Sequence, residues 1–89
     1  MIQLDSLPRQ APNVLSQRSD DEIILFNLEH GNYYSLSEVG IRIWELCDGS
    51  RRVSDIAAII SNEYDVPIDV AQADVLELLS DLAEENLTL

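Results

Sequence analysis

The stretch Gly31-Asn32-Tyr33-Tyr34-Ser35-Leu36-Ser37, followed by Gly40 and Ile43-Trp44, constrains the fold more than any other part of this chain. Gly31 supplies the positive φ that a tight hairpin turn requires. Tyr33 to Leu36 then reads as a short aromatic strand, with Tyr33 and Ser35 on one face and Tyr34 and Leu36 on the other. One tyrosine packs inward and its neighbour faces outward; the spacing leaves open which is which. Directly afterwards the apolar period changes from two to that of a helix, with Val39, Ile43, Leu46 and Cys47 on one face. A strand between a turn and a helix, early in a small domain, is expected at a sheet edge. Edge strands carry unpaired N–H and C=O groups and can accept another chain as an added strand.

The other elements follow from the same rules. Residues 1–12 hold Pro8 and Pro12 and are expected to form an arm, leaving 13–89 as the domain proper. Val14 to Arg18 reads as a first strand, Ser19-Asp20-Asp21 as a turn, and Glu22 to Leu28 as a central strand rich in β-branched and aromatic residues. Glu29 to Asn32 is the hairpin connection. Ser37 is expected to cap the first helix, with Leu36 and Ile41 as a hydrophobic staple and Gly49 as its C′ stop. Gly40 lowers helix propensity by about 1 kcal/mol relative to Ala, which points to close packing there. Ser54 is expected to cap a second helix whose Ile56, Ala57, Ile60 and Tyr64 share a face, and Asp65 to Pro67 to break it. Asp69 is expected to cap a third helix, with Gln72 at the capping-box position and Ala71, Val75, Leu78, Leu79 and Leu82 facing the core. The fold class is α+β: a three-stranded antiparallel sheet followed by three helices.

Charge placement narrows the function. The 89 residues carry 17 acidic and 5 basic side chains, a formal net charge of −12. All five arginines lie before position 53, and nine acids follow it with no cation between them. Asp74, Glu77, Asp81 and Glu84 recur three or four apart and form an anionic stripe on the third helix. Such a surface repels a phosphate backbone, so no nucleic-acid partner is expected, whereas a basic peptide is attracted. The alternative for these acids is a plain solvated face that keeps a small domain soluble. There is neither an apolar run long enough to span a bilayer nor a basic segment leading into an apolar one. The expectation is a cytoplasmic protein with no membrane partner.

Chemistry-bearing constellations are missing. Cys47 is a single thiol on a helix, expected to be buried as a small hydrophobe. His30 sits between Glu29 and Gly31 and reads as a solvated turn residue. No phosphate loop, nucleophile elbow or metal-ligand cluster can be assembled, so neither a catalytic residue nor a cofactor is expected.

Pro8, Ala11-Pro12, Asn27, Gly31 to Leu36, Gly40, Ile43-Trp44, Asp48-Gly49, Ile56, Tyr64 and Ala73-Asp74-Val75 occur in an order and spacing that resemble the PqqD-like family. Its members are precursor-peptide recognition elements of ribosomal peptide biosynthesis, and the resemblance runs from about Leu7 to Leu82. The Tyr-Tyr strand and the Ile-Trp pair look most like the stand-alone recognition proteins of lasso-peptide clusters. The resemblance implies a winged helix-turn-helix-like domain that binds the leader segment of a precursor peptide. The leader would lie as an antiparallel strand on the third strand, in a groove closed by the third helix, and carry a Tyr-x-x-Pro motif. It would then pass to a leader peptidase and a macrocyclase. Carried onto this chain, the backbone of Asn32, Tyr33, Tyr34, Ser35 and Leu36 would supply the ladder. Leu28, Tyr33, Tyr34, Val70 and Leu78 would shape pockets, and Asp74, Glu77 and Asp81 would meet leader cations. Rival readings are delivery of a peptide to a radical SAM enzyme as in quinone-cofactor biosynthesis, a winged-helix DNA-binding regulator, and a structural subunit of a partner enzyme.

Overall fold

Strands form where residues alternate between an apolar and a solvated side, and helices where apolar residues return every third or fourth position. The computed structural model, which describes residues 2–89, places β1 at Val14–Arg18, β2 at Glu22–Asn27 and β3 at Tyr33–Ser37. The helices α1 (Val39–Glu45), α2 (Val53–Tyr64) and α3 (Ile68–Glu84) follow. The sheet is antiparallel with strand order β1-β2-β3, so β3 is an edge, as its position after the hairpin predicts.

Alternation along β2 decides the layers. Ile23, Leu25 and Asn27 are buried beneath the helices, while Ile24 and Phe26 look outward and are half-buried. Across the sheet Leu25 pairs with Tyr34 and Ile23 with Leu36, which puts Tyr34 and Leu36 on the inner face. Tyr33, opposite Phe26, therefore faces out and is 67% exposed. The core is completed by Ile41, Ile43, Trp44, Leu46 and Cys47 around α1, Val53, Ile56, Ala57 and Ile60 of α2, and Ala71, Val75, Leu79 and Leu82 of α3. Arg42 forks onto Glu63 with two 2.8 Å bonds and so ties α1 to α2.

Helix boundaries differ from the expectations, each for a local reason. α1 begins at Val39 with Glu38, at φ +42°, in the cap position; the side chain of Ser37 lies outside the described residues. α2 is entered from Arg52, whose N–H donates to Asp55 Oδ2 at 3.0 Å, so Ser54 lies inside the helix instead of capping it. α3 starts after Pro67, and Asp69 serves as a first-turn acid beside the helix dipole, with neither Asp69 nor Gln72 in the capping positions assigned to them. Leu46 ends α1, and Gly49, at φ +82°, lies three residues farther on, donating to the Pro8 carbonyl at 3.0 Å. Tyr64, at the last turn of α2, is 40% exposed instead of core-facing. β2 ends at Asn27, which leaves Leu28 in the turn.

The N-terminal stretch is stitched to the rest by backbone bonds. Arg9 and Leu89 exchange N–H···O bonds of 3.4 and 2.8 Å, and the N–H of Ala11 donates to Leu87. On the other side, the N–H groups of Gly49, Val53 and Ser54 donate to Pro8, Ser6 and Leu4.

Candidate functional site: the free edge of the sheet

The hydrogen-bond parity of β2 shows which groups of β3 are unpaired. Asn27 N–H donates to the Asn32 carbonyl at 2.9 Å, whereas Leu28 N–H donates across to the Asn13 carbonyl and Ser19 N–H donates to the Glu22 carbonyl, both at 2.9 Å. Antiparallel bonding alternates by residue, so Ile23, Leu25 and Asn27 bond to β3 while Glu22, Ile24 and Phe26 bond to β1. With the observed register, the backbones of Tyr34 and Leu36 are committed to β2. Those of Tyr33 and Ser35 point to the open edge. Of the backbone expected to offer a ladder over Asn32 to Leu36, only alternate residues thus face the open edge.

The hairpin presenting this edge is held by Asn27, which is 3% exposed. Its Oδ1 accepts the N–H groups of Glu29 (2.9 Å) and His30 (3.0 Å), and its Nδ2 donates to the Asn86 carbonyl at 2.8 Å. Gly31, at φ +76°, closes the turn and donates to the Asn27 carbonyl at 2.8 Å. Asn86 follows α3 in the left-handed conformation, φ +58°, which turns its carbonyl toward the hairpin. The end of α3 and the start of β3 are therefore one unit.

Residues on one flank of α3 face the inner side of β3. Val70, Asp74, Glu77, Leu78, Asp81 and Glu85 recur at helical spacing on that flank. Leu78 is half-buried; with Leu36 it forms the floor at Gly40, where a Cβ would meet Leu36 Cδ2 at 3.3 Å and Leu78 Cδ2 at 3.8 Å. The close packing expected at Gly40 is thus against a strand and a helix together. Farther along, Asn32 Nδ2 donates to the Glu85 carbonyl (2.9 Å) and to Glu85 Oε2 (2.7 Å). Tyr34 lies near Asp81, and its phenol is held above the usual value of 10 by burial, then by Asp81, Glu77 and Glu85. The four ion pairs among the described residues join Arg18, Arg42 and Arg51 to Glu45, Glu63 and Asp48, and none involves α3.

Not every expected residue meets at this edge. Val70 and Asp74 are on the right flank but exposed, toward the start of α3. Leu28 is 68% exposed in the hairpin turn, and its N–H bonds to the β1 side, away from α3. Glu84, counted in the anionic stripe, instead lines a concavity of about 430 Å³ with Ile2, Ser80 and Ala83 on the other flank. Glu85 takes its place. It lies four residues after Asp81, a spacing visible in the sequence, but one position beyond the helix, where periodicity is no longer a guide. Asn27 carried no chemical signal of its own, because its role depends on a carbonyl 59 residues away.

Residues 22–87 match the model of the family described as coenzyme PQQ synthesis protein D. The chain belongs to the PqqD family. Among curated proteins it is similar to the PqqA binding protein of Bradyrhizobium diazoefficiens, at 31% identity over 49 residues, or 55% of this chain. It spans about half the length of that relative, 48%. Among solved structures it is similar to TbiB1 in complex with the TbiA(beta) leader peptide, with 34% identity and a TM-score of 0.80, covering 90% of this chain and 93% of that one. A lasso peptide synthetase B1 complexed with its leader peptide superposes with a TM-score of 0.82 over 94% of this chain and 99% of that one; at 23% identity it speaks to the fold alone. The three antiparallel strands and three helices of this chain superpose on both of these solved structures.

Proposed function

We propose that this protein is a non-catalytic recognition element that binds the leader segment of a ribosomally made precursor peptide by strand addition to β3. The leader peptidase and macrocyclase of a lasso-peptide pathway would then act on the bound peptide. The observation that carries this reading is the unpaired backbone of Tyr33 and Ser35 beside an α3 flank on which an apolar floor adjoins an anionic wall. Support comes from the 34% identical TbiB1, whose structure holds a leader peptide.

Strand geometry defines the guest. An antiparallel guest pairs its backbone with Tyr33 and Ser35, and every second guest side chain turns toward α3. A guest side chain level with Leu36 meets Leu78 and is selected as apolar. One level with Tyr34 meets Asp81, Glu77 and Glu85 and is selected as cationic or as a hydrogen-bond donor. Exposed ion pairs contribute only about 0.2–1 kcal/mol each, so the acids govern encounter and register while apolar anchors supply affinity.

The test is a titration with the leader peptide encoded beside this gene. Ser35→Pro removes one open-edge donor and leaves the bonds to β2 intact, a position where an edge strand tolerates proline. Leader affinity should fall about tenfold to a hundredfold, the equivalent of one or two ladder bonds and their steric fit. Unchanged affinity in a folded Ser35→Pro variant overturns strand addition.

A further inference from the structure

β3 and the flank of α3 run past each other in opposite directions and meet in three rungs. Leu36 meets Leu78 at Gly40, Tyr34 lies near Asp81, and Asn32 is bonded to Glu85. Four residues of strand at about 3.3 Å each cover roughly 13 Å, and seven residues of helix at about 1.5 Å each roughly 10 Å, so the two elements keep pace. The first rung is apolar, and the second sets a phenol beside a carboxylate. The third has a different chemistry.

At the third rung the amide donors are already spent. Asn32 Nδ2 gives one hydrogen to the Glu85 carbonyl (2.9 Å) and the other to Glu85 Oε2 (2.7 Å). Exchanging the nitrogen and oxygen of the amide would set one acceptor against two others, so these contacts fix its orientation. Asn32 Oδ1 is then buried with no hydrogen-bond partner among the described residues. A buried acceptor left unpaired carries its full desolvation cost until a donor arrives. The Glu85 carboxylate joins none of the ion pairs among the described residues. A visitor to this rung therefore finds a neutral acceptor beside an anionic one.

Strand addition brings a side chain to this place. The backbones of Tyr34 and Leu36 are committed to β2, and the Asn32 carbonyl accepts from Asn27. A guest residue opposite any of the three forms a non-hydrogen-bonded pair, with Cα atoms about 4.5 Å apart and side chains at their closest. We propose that Asn32 is a specificity-determining residue whose Oδ1, with Glu85, selects a guest side chain bearing N–H donors: arginine or lysine first, then glutamine. The inference rests on strand addition at β3 and extends the chemistry of the guest. Read from its N-terminus, an antiparallel guest is apolar level with Leu36 and a cation or donor two residues on. Two residues farther it bears N–H groups, and a carboxylate there faces only oxygens.

The experiment is a substitution scan of the leader peptide encoded beside this gene. Each residue is replaced in turn by glutamine and by methionine, which are similar in length and volume but differ in N–H groups. Every peptide is titrated against wild type and against Asn32→Ala. With wild type, one position should prefer glutamine by about fivefold to tenfold, the range of one hydrogen bond to a buried acceptor. It should lie four residues after a position that prefers methionine. Lysine there should bind tighter still at low salt, an advantage that Glu85→Gln removes. In Asn32→Ala, shown to be folded by the fluorescence of buried Trp44, the glutamine preference should vanish while the methionine preference at the earlier position stays. A wild-type scan without the glutamine-preferring position overturns the proposal whether or not the variant folds, as does a preference that Asn32→Ala leaves intact. Failure of strand addition itself is seen separately, when the unsubstituted leader does not bind wild type or binds Ser35→Pro equally well, and this inference falls with it.

Discussion

Replacing Asn27 by alanine should loosen the whole candidate site. The side chain is buried and makes three hydrogen bonds: two accepted from the hairpin N–H groups of Glu29 and His30, and one donated to the Asn86 carbonyl. Each bond contributes about 0.5–1.5 kcal/mol net, and the two turn amides, lying near solvent, can recover part of theirs from water. The expected loss is about 2–4 kcal/mol, a large share of the stability of a domain this size. At about 4–8 °C per kcal/mol for a domain of under 100 residues, Tm should fall by roughly 10–25 °C. Urea unfolding followed through Trp44, the single tryptophan and only 4% exposed, reports the change. Asn86→Gly is the matched control. It keeps the accepting carbonyl and suits φ +58°, so it should shift stability by less than about 0.5 kcal/mol. Leader affinity should fall with Asn27→Ala even at temperatures where the domain stays folded, because Asn32 and Tyr33 are no longer held in place. A stability loss below about 1 kcal/mol would refute the idea that this side chain joins hairpin and helix end.

Three further outcomes are expected. Glu77→Lys combined with Asp81→Lys should slow association with a basic leader by about tenfold at low salt and remove most of the salt dependence seen in wild type; identical salt series would reduce the wall to a solvated face. The Tyr34 phenol, held above 10 by burial and by Asp81, Glu77 and Glu85, should contribute a late component to an absorbance titration near 295 nm, one that is missing in Tyr34→Phe. Because its folded pKa is raised, its contribution to stability is complete below pH 10 and lost as pH rises beyond that value; a Tyr34→Phe variant with the same alkaline stability profile would contradict this. Cys47 is buried, donates to the Ile43 carbonyl at 3.2 Å and has its thiol pushed up to about 12 by burial and by Asp48, so thiol reagents at pH 8 should react only as fast as the domain opens.

Legibility in the sequence followed the range of the forces involved. β1, the hairpin and the three helices were readable because alternation, Gly31 and the spacing of Val75, Leu79 and Leu82 are local patterns. Caps were misplaced because Ser54 and Asp69 have favourable chemistry, yet the chain enters those helices from Arg52 and Pro67, where tertiary contacts and the fixed φ of proline prevail. The choice between the two tyrosines required register: Leu25↔Tyr34 settles it, and nothing within the dipeptide does. At the candidate site, the wall residues Glu77 and Asp81 were visible as a helical repeat. Glu85 and Asn27 were not, since their partners lie 53 and 59 residues away in the chain.

The reciprocal bonds between Arg9 and Leu89 bring Leu89 beside the arm, where it also lines a concavity with Asn27, Glu29 and His30 of the hairpin. The same juxtaposition makes the domain a candidate for circular permutation, with the old ends joined by a short linker and new ones cut elsewhere.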